Sequence, residues 1–197
     1  MYDLGGYMNV CDLSSNNKLM ERLRAISEND AVIVKCTEGT SYRNPCMRTD
    51  IETALEQNKC IGLYHFARAE NNFAIDEAMW FLRNAAPYIG DAVLILDYEG
   101  KSLSVNPVWA REFLDTVYHI TGVRPMIYMS ESACKTVGSA VVDGNYGLWV
   151  AKYSKNKPKV DPWNFSAMWQ YTPSPYDKSV FYGDREAWEK YAERTEE

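Results

Sequence analysis

The sequence predicts an α/β fold, a barrel of about eight strands and about five helices whose last strands are joined by loops. Apolar, strand-like runs alternate with amphipathic, helix-like segments up to residue 137, which indicates parallel strands joined by right-handed crossovers. Beyond residue 153 the segment SKNKPKVDPWNFS contains two prolines and no helical period. A complete barrel of this kind needs about 250 residues. A chain of 197 residues fits a barrel without its later helices, and the alternation leaves an open doubly wound sheet as the alternative.

The predicted strands are short aliphatic or aromatic runs, several of them bounded by turn-forming residues. In chain order they are 7–13, 31–36, 60–66, 92–97, 124–129, 147–153 and 167–172. The predicted helices follow the first five of these strands and carry apolar side chains at intervals of three or four residues. They are 17–29, 47–58, 73–86, 107–121 and 131–137. In the first of them Leu19, Leu23 and Ile26 share one face, and the fourth begins with a proline, as helices often do. The C-terminal run 186–197 is expected to be a solvated helix.

The fourth predicted strand ends in two acids, in the stretch VLILDYEG at 93–100. Four aliphatic residues in a row indicate a strand that is buried on both faces. Because side chains alternate along a strand, Asp97 and Glu99 should point to one face, about 6.5 to 7 Å apart, and Tyr98 to the other. The two acids either mark the point where the strand enters water or belong to an active site.

Composition and charge exclude several classes of function. A net charge of -6 with scattered Lys and Arg argues against a nucleic-acid partner. No apolar stretch approaches the roughly 18 residues of a membrane span, and no signal peptide is recognisable, so no membrane insertion is expected. Five cysteines without a C-x-x-C pair, and only two histidines, argue against a disulfide framework and a metal site. No cofactor is predicted.

Polar or aromatic residues stand at the ends of the predicted strands, which in a barrel meet at the rim that carries the active site. They are Asp12, Lys35, Glu38, Tyr64, His65, Asp97, Glu99, Tyr128, Lys152, Tyr153, Trp169, Gln170 and Tyr171. Aromatic rings pack against sugar rings, and carboxylates supply acid catalysis at a glycosidic oxygen. Crowding of carboxylates under an apolar barrel would raise the pKa of one of them, as a proton donor requires. This set therefore predicts a glycoside hydrolase.

Eight motifs carry a family resemblance over nearly the whole chain. In order they are CDLSS, VIVKCTEGTSYRNP, GLYHFAR, LILDYEG, PMIYMS, LWVAKY, MWQYT and DKSVFYGDREAW. Together they resemble the glycoside hydrolase family 25 lysozymes, the N-acetylmuramidases common among phage endolysins and bacterial autolysins. The resemblance implies a TIM-like barrel of eight strands and five helices. It also implies hydrolysis of the β-1,4 bond between N-acetylmuramic acid and N-acetylglucosamine in bacterial peptidoglycan.

The resemblance implies four catalytic acids. The family's D-x-E motif falls on Asp97 and Glu99, with Glu99 as the proton donor, and its first-strand aspartate falls on Asp12. The late aspartate falls on Asp177, because the residues after it in DKSVFYG fix the register. We expect Asp97 to stay ionised, to raise the pKa of Glu99 and to orient the 2-acetamido group of the substrate.

The sequence departs from the family pattern at two places. Ser15, Asn16 and Asn17 stand where the family usually has a Gln, and Ser179 stands where it commonly has Asn. The residues expected to contact substrate are, in chain order, Lys35, Glu38, Tyr64, His65, Tyr128, Trp169 and Gln170. His65 is equally compatible with a structural role in the barrel wall.

The sequence leaves two rival functions open. One is a noncatalytic peptidoglycan-binding module, which retention of both D-x-E acids and of Asp12 disfavours. The other is a chitinase-like hydrolase, disfavoured because the motif D-x-x-D-x-D-x-E is absent. We expect residues 1–197 to form a single catalytic domain without a wall-binding module. We further expect a monomeric phage endolysin that is made in the host cytoplasm and acts on the bacterial cell wall.

Overall fold

The structure is a computed structural model that describes residues 6–195. Its strands are β1 (Met8–Leu13), β2 (Ala31–Glu38), β3 (Tyr42–Arg43), β4 (Cys60–Phe66), β5 (Ala92–Asp97), β6 (Met126–Ser130), β7 (Gly147–Ala151), β8 (Met168–Thr172) and β9 (Lys178–Phe181). Eight of them close into a barrel in the order β1-β2-β4-β5-β6-β7-β8-β9, with β9 pairing back to β1. The two-residue strand β3 pairs only with the end of β2. The predicted closed barrel is confirmed, and the open sheet is excluded.

Six α-helices accompany the barrel in the part of the chain that the structure describes. They are α1 (Leu19–Glu28), α2 (Met47–Glu56), α3 (Ala74–Ala85), α4 (Val108–Thr121), α5 (Glu131–Val141) and α6 (Arg185–Ala192). The first five lie between successive barrel strands, as the spacing of apolar residues predicts, and β7, β8 and β9 are joined without an α-helix. None of the helices within residues 6–195 is long and apolar enough to cross a membrane.

The last barrel strand differs from the predicted parallel arrangement. The pairings between the barrel strands from β1 to β8 are parallel, whereas β9 runs antiparallel to both β8 and β1. The reason is the connection between β8 and β9, residues 173–177, because a loop this short can join only antiparallel neighbours. Strand β9 lies in the DKSVF motif, where a short run of mixed polarity gave no strand signal.

The C-terminal helix corrects the expectation of a solvated segment. Trp188 of α6 is 1% exposed and inserts at the end of the barrel where the strands begin, with its Nε1 donating to the carbonyl of Ile61 at 3.1 Å. Gly62 makes room for it, since a Cβ there would lie 3.1 Å from Cγ1 of Ile33 and 3.5 Å from the Trp188 ring. The indole therefore seals the barrel end opposite the predicted rim.

Candidate active site

The period-two alternation of the strands places a ring of polar side chains at the other end of the barrel. The residues that face the barrel interior nearer the end sealed by Trp188 are Val10, Ile33, Gly62, Ile95, Met126 and Met168. Two residues further along each strand, the side chain returns to the same face. The residues at these positions are Asp12, Lys35, Tyr64, Asp97, Tyr128 and Gln170. The barrel therefore carries an apolar interior below a polar pocket at the strands' carboxyl ends.

The D-x-E pair follows the predicted alternation. Tyr98 is fully buried on the outer side of β5, where its ring stacks on Trp109 with centroids 5.9 Å apart. Glu99 retains an extended backbone at φ -145°, so its side chain returns to the pocket face with Asp97. Gly100 then turns the chain with a φ of 59°, a conformation that suits glycine.

The turn after Glu99 is clamped to the loop that follows β4. The amide of Ser102 donates to the carbonyl of Glu99 at 3.2 Å. The Ser102 hydroxyl donates to the carbonyl of Ala67 at 3.1 Å and accepts from the amide of Ala69 at 3.1 Å. The amide of Ala67 in turn donates to the carbonyl of Asp97 at 3.0 Å. The backbone of Asp97 is thus held directly by this loop, and that of Glu99 is held through Ser102.

Strand β9 brings the fourth acid to the pocket. The backbone amide of Asp12 donates to the carbonyl of Asp177 at 3.4 Å, just before β9 pairs with β1. The structure therefore gathers Asp12, Asp97, Glu99 and Asp177, the four acids named from sequence, around one pocket. Within residues 6–195, His, Cys, Asp and Glu form no group arranged to hold a metal ion.

Burial raises the pKa of all four carboxyls. Repulsion from Asp177 adds to the effect of burial on both Asp12 and Glu99. For Asp97, burial is followed by repulsion from Glu99 and Asp12, and the pKa of this carboxyl lies well above its usual value. The charge of Lys35 acts in the opposite direction on Asp97 and Glu99.

This pattern corrects the expected relation between the two acids. Glu99 owes its raised pKa to burial and to Asp177 across the pocket, rather than to Asp97. Asp97 is the more buried acid, at 9% exposure, and its Oδ1 has no hydrogen-bond partner among residues 6–195. A buried carboxylate oxygen without a donor favours the protonated form. Asp97 therefore holds its proton more tightly than expected.

Gln170 connects the first strand to the tyrosines of the pocket. Its Nε2 donates to Oδ2 of Asp12 at 2.8 Å. Its Oε1 accepts from the hydroxyls of Tyr128 and Tyr153, each at 2.9 Å. Tyr153 stands just after β7, and 57% of it is exposed. The hydroxyl of this exposed tyrosine is therefore tied to a buried amide.

Lys35 and Glu38 form a charged chain with Arg68. Lys35 Nζ lies 2.6 Å from Oε2 of Glu38, and Arg68 lies 2.6 Å from Oε1 of the same carboxylate. Both cations pack over the ring of Phe66, 4.8 Å and 4.9 Å from its centroid. Burial raises the pKa of Glu38, but the hydrogen bonds and charges of Lys35 and Arg68 outweigh it and hold the pKa below its usual value. Glu38 therefore serves as the ionised partner of two cations.

Two residues expected to contact substrate lie outside the pocket. His65 alternates with Tyr64 and points outward, where it is fully buried and stacks on Phe113 at 5.0 Å. Its ring nitrogens lie 2.8 Å from Oγ1 of Thr37 and 2.7 Å from Oε2 of Glu77, so neither is free. Expecting a substrate contact from His65 was therefore wrong.

Trp169 also lies outside the pocket, because the alternation of side chains along β8 turns it outward. It follows the interior residue Met168 and so points to the outer layer, where it packs against the core beneath the helices. Its Nε1 donates to the carbonyl of Lys152 at 2.9 Å. The interior position on β8 belongs to Gln170, and strict alternation from Met168 is the signal that would have separated the two.

Two pocket residues were not selected from sequence. Tyr153 belongs to the group of strand ends but was not chosen, and its partner Gln170 lies on another strand. Arg68 sits in the loop after β4, and nothing local in GLYHFAR indicates its pairing with Glu38. Such pairings depend on which strands become neighbours, so they become visible only in the assembled barrel.

A pocket of carboxylates and tyrosines, at the carboxyl end of an α/β barrel, is the kind of site found in glycoside hydrolases. The family model described as glycosyl hydrolases family 25 matches residues 11–180. The chain belongs to this family.

Individual relatives agree with the family. The chain is 31% identical to a lysozyme of Streptococcus phage Cp-9 over 171 residues, covering 80% of this chain and 48% of the relative. It is 29% identical to an N,O-diacetylmuramidase of Chalaropsis sp, covering 71% of this chain and 75% of the relative. A family GH25 lysozyme from Aspergillus fumigatus has the same fold, with a TM-score of 0.82, 24% identity and coverage of 95% and 100%. The chain thus spans about half the length of the phage relative.

Proposed function

We propose that this protein is a lysozyme that hydrolyses the β-1,4 bond between N-acetylmuramic acid and N-acetylglucosamine in bacterial peptidoglycan. The observation that carries the proposal is the D-x-E pair at the end of β5, facing a pocket with two further acids. Membership of the family and the names of the lysozyme and muramidase relatives support this substrate. The described residues would act as one catalytic domain.

Glu99 is proposed as the proton donor to the leaving glycosidic oxygen. Burial and Asp177 raise its pKa, which favours the protonated form that a general acid needs. It stands beyond the end of β5, one step nearer the open side of the pocket than Asp97. Its longer side chain extends its reach towards a bound sugar.

Asp97 is proposed to orient the 2-acetamido group of the substrate. Its Oδ1 is buried without a donor, and an acetamido N–H is a donor of the right kind. This contact would favour the ionised form of Asp97 once substrate is bound. The acetamido oxygen could then attack the anomeric carbon as Glu99 protonates the leaving oxygen, which would retain configuration. A water activated by Asp177 would instead invert it.

A Glu99→Gln variant tests the proposed acid. We expect it to abolish the clearing of Gram-positive cell-wall suspensions while wall binding and the melting temperature are kept. Glu112→Gln is the matched control, because Glu112 is exposed on α4 and should retain full activity. Muramic acid at the new reducing ends would support the proposed bond, and N-acetylglucosamine at those ends would contradict it. A fully active Glu99→Gln protein would overturn the role of Glu99.

The stereochemistry has its own test. Proton NMR of the first-formed product should show the β-anomer if the acetamido route operates, and an initial α-anomer would refute it. Asp97→Asn should leave a small residual activity. The rival function, a noncatalytic peptidoglycan-binding module, predicts wall binding by the wild-type protein without release of reducing sugar.

We also propose the setting in which the enzyme works. A lysozyme of a phage among the relatives supports a role as a phage endolysin that acts on the bacterial cell wall. We propose in addition that the protein is made in the host cytoplasm and acts as a monomer. Sedimentation of the purified protein tests the monomer. Expression in a bacterial host tests the location, because an endolysin of this kind should lyse cells only when the membrane is permeabilised.

A further inference from the structure

The amide of Gln170 has a defined orientation. Gln170 is 3% exposed, and its side chain lies between Asp12 and two tyrosines. Both tyrosine hydroxyls donate to Oε1, and Nε2 faces Oδ2 of Asp12. The reverse orientation would set the amide oxygen against an ionised carboxylate, which is an acceptor without a donor. With both hydroxyls donating to Oε1, the N–H group is the side of the amide that Gln170 presents to Asp12.

This geometry leaves Gln170 little capacity to bind a ligand. Its Oε1 already accepts two hydrogen bonds, one for each lone pair. One Nε2 proton is used by Asp12, and the side chain is almost completely buried. We propose that Gln170 is a positioning residue that fixes the orientation and the ionised form of Asp12, and that it does not bind substrate. The inference rests on the proposed function for its catalytic consequence, but not for the effect on Asp12.

Apart from the Gln170 hydrogen bond, the surroundings of Asp12 disfavour its ionised form. The ionisable groups that face it come from β1's neighbours and from strands across the pocket, and they are Tyr64, Asp97, Glu99, Tyr128, Tyr153 and Asp177. Burial and the nearby acids raise the pKa of Asp12, and the Gln170 hydrogen bond lowers it. No cation acts strongly on Asp12 among the described residues, so this neutral donor is the main group that favours its ionised form.

The same network decides whether the hydroxyls of Tyr128 and Tyr153 donate or accept hydrogen bonds. Each hydroxyl gives its single proton to Gln170, so each can only accept further hydrogen bonds. Tyr153 lies at the exposed edge of the pocket, and its free lone pair is available to a hydroxyl or N–H donor of a sugar. Gln170 would thereby act on the pocket through three side chains.

The test uses Gln170→Leu, which keeps a similar volume and removes both polar atoms. Tyr171→Phe on the same strand is the control, since the hydroxyl of Tyr171 takes no part in this network. The first measurement is ¹³C NMR titration of the Asp12 carboxyl, assigned by comparison with Asp12→Asn. We expect the Asp12 pKa to rise in Gln170→Leu and to stay unchanged in Tyr171→Phe. An unchanged Asp12 titration in Gln170→Leu would overturn the inference, whether or not the protein is a lysozyme.

The second measurement is the pH profile of kcat/KM on soluble peptidoglycan fragments. In Gln170→Leu the acid limb should move to higher pH, and kcat should fall about tenfold or more with KM within about twofold of wild type. A large rise in KM with an unmoved acid limb would identify Gln170 as a substrate ligand and contradict the proposal. If Gln170→Leu does not fold, Tyr153→Phe removes one of the two orienting donors from an exposed side chain. It should move the Asp12 titration in the same direction by less, and no movement would refute the network.

Discussion

Replacing Ser102 by Ala should destabilise the protein and weaken the proposed acid, because one hydroxyl joins the turn after Glu99 to the loop after β4. The hydroxyl is buried and is the hydrogen-bond partner of the Ala69 amide, at 3.1 Å. Without it this buried N–H and the carbonyl of Ala67 lose a partner. Leaving one buried polar group unsatisfied costs about 1–3 kcal/mol. We therefore expect Ser102→Ala to lower the free energy of unfolding by about 2–3 kcal/mol.

Ser104 provides a matched control in the same turn. It is exposed, and its hydroxyl donates only to the carbonyl of Lys101, at 2.7 Å. Ser104→Ala should change the free energy of unfolding by less than about 0.5 kcal/mol, as exposed substitutions usually do. The two variants remove the same atom, so the difference between them isolates the buried bridge to Ala67 and Ala69.

Urea denaturation followed by tryptophan fluorescence measures both variants. A lower midpoint with an unchanged m-value would mark a change in stability rather than in the unfolded state. The rate of wall clearing should fall roughly tenfold in Ser102→Ala, because misplacing a reacting group by a fraction of an ångström is costly. Equal midpoints for the two serine variants would refute the reasoning. So would a destabilised Ser102→Ala protein with full activity, since Glu99 would then not depend on the clamp.

Three further predictions concern the pocket and the sealed end of the barrel. Asp12→Asn should slow wall hydrolysis roughly 10- to 1,000-fold, the range of one electrostatic contributor, and an unchanged turnover would remove Asp12 from the site. The pKa of Asp97 is raised in the folded protein, so the folded state binds this proton more tightly and stability falls as the pH rises above about 4. Asp97→Asn should therefore melt higher than wild type at neutral pH and little differently near pH ~4; calorimetry showing the same difference at both pH values would contradict this. Gly62→Val would press side-chain atoms on Ile33 and Trp188, and should cost about 1–3 kcal/mol in urea denaturation, whereas an unchanged midpoint would mean that the seal is loose.

The sequence was informative wherever the direction of a side chain depends only on the repeat of its own strand or helix. Alternation along β5 was sufficient to place Asp97 and Glu99 on one face and Tyr98 on the other, because a period of two survives any choice of neighbouring strand. The five helices after the early strands were predictable for a similar reason. Asp12 was visible as a polar residue at a strand end, whereas Asp177 came only from the family motifs, and no local pattern would have paired the two.

The sequence was uninformative where partners are distant along the chain. The bonds of Gln170 to Asp12 and Tyr128 join residues from three strands, and they exist only after the barrel closes. The insertion of Trp188 depends on the missing side chain at Gly62, far earlier in the sequence. The outward direction of Trp169 was available from alternation, and was missed because an aromatic residue at a strand end was taken as a pocket residue.

The antiparallel closing strand has a consequence for the order in which the chain can fold during synthesis. β1 ends at Leu13, but one of its two partners, β9, begins only at Lys178. At about 5–20 residues per second, translation takes on the order of ten seconds to reach β9, and until then that edge of β1 has no partner strand. During this interval the barrel is an open sheet on the ribosome. One edge of β1 is unpaired, and the aliphatic side chains that later fill the barrel are exposed to solvent, so the sheet is prone to pairing with other chains. Ribosome-bound chains that stop before Lys178 should therefore be the forms most dependent on chaperones and most sensitive to protease.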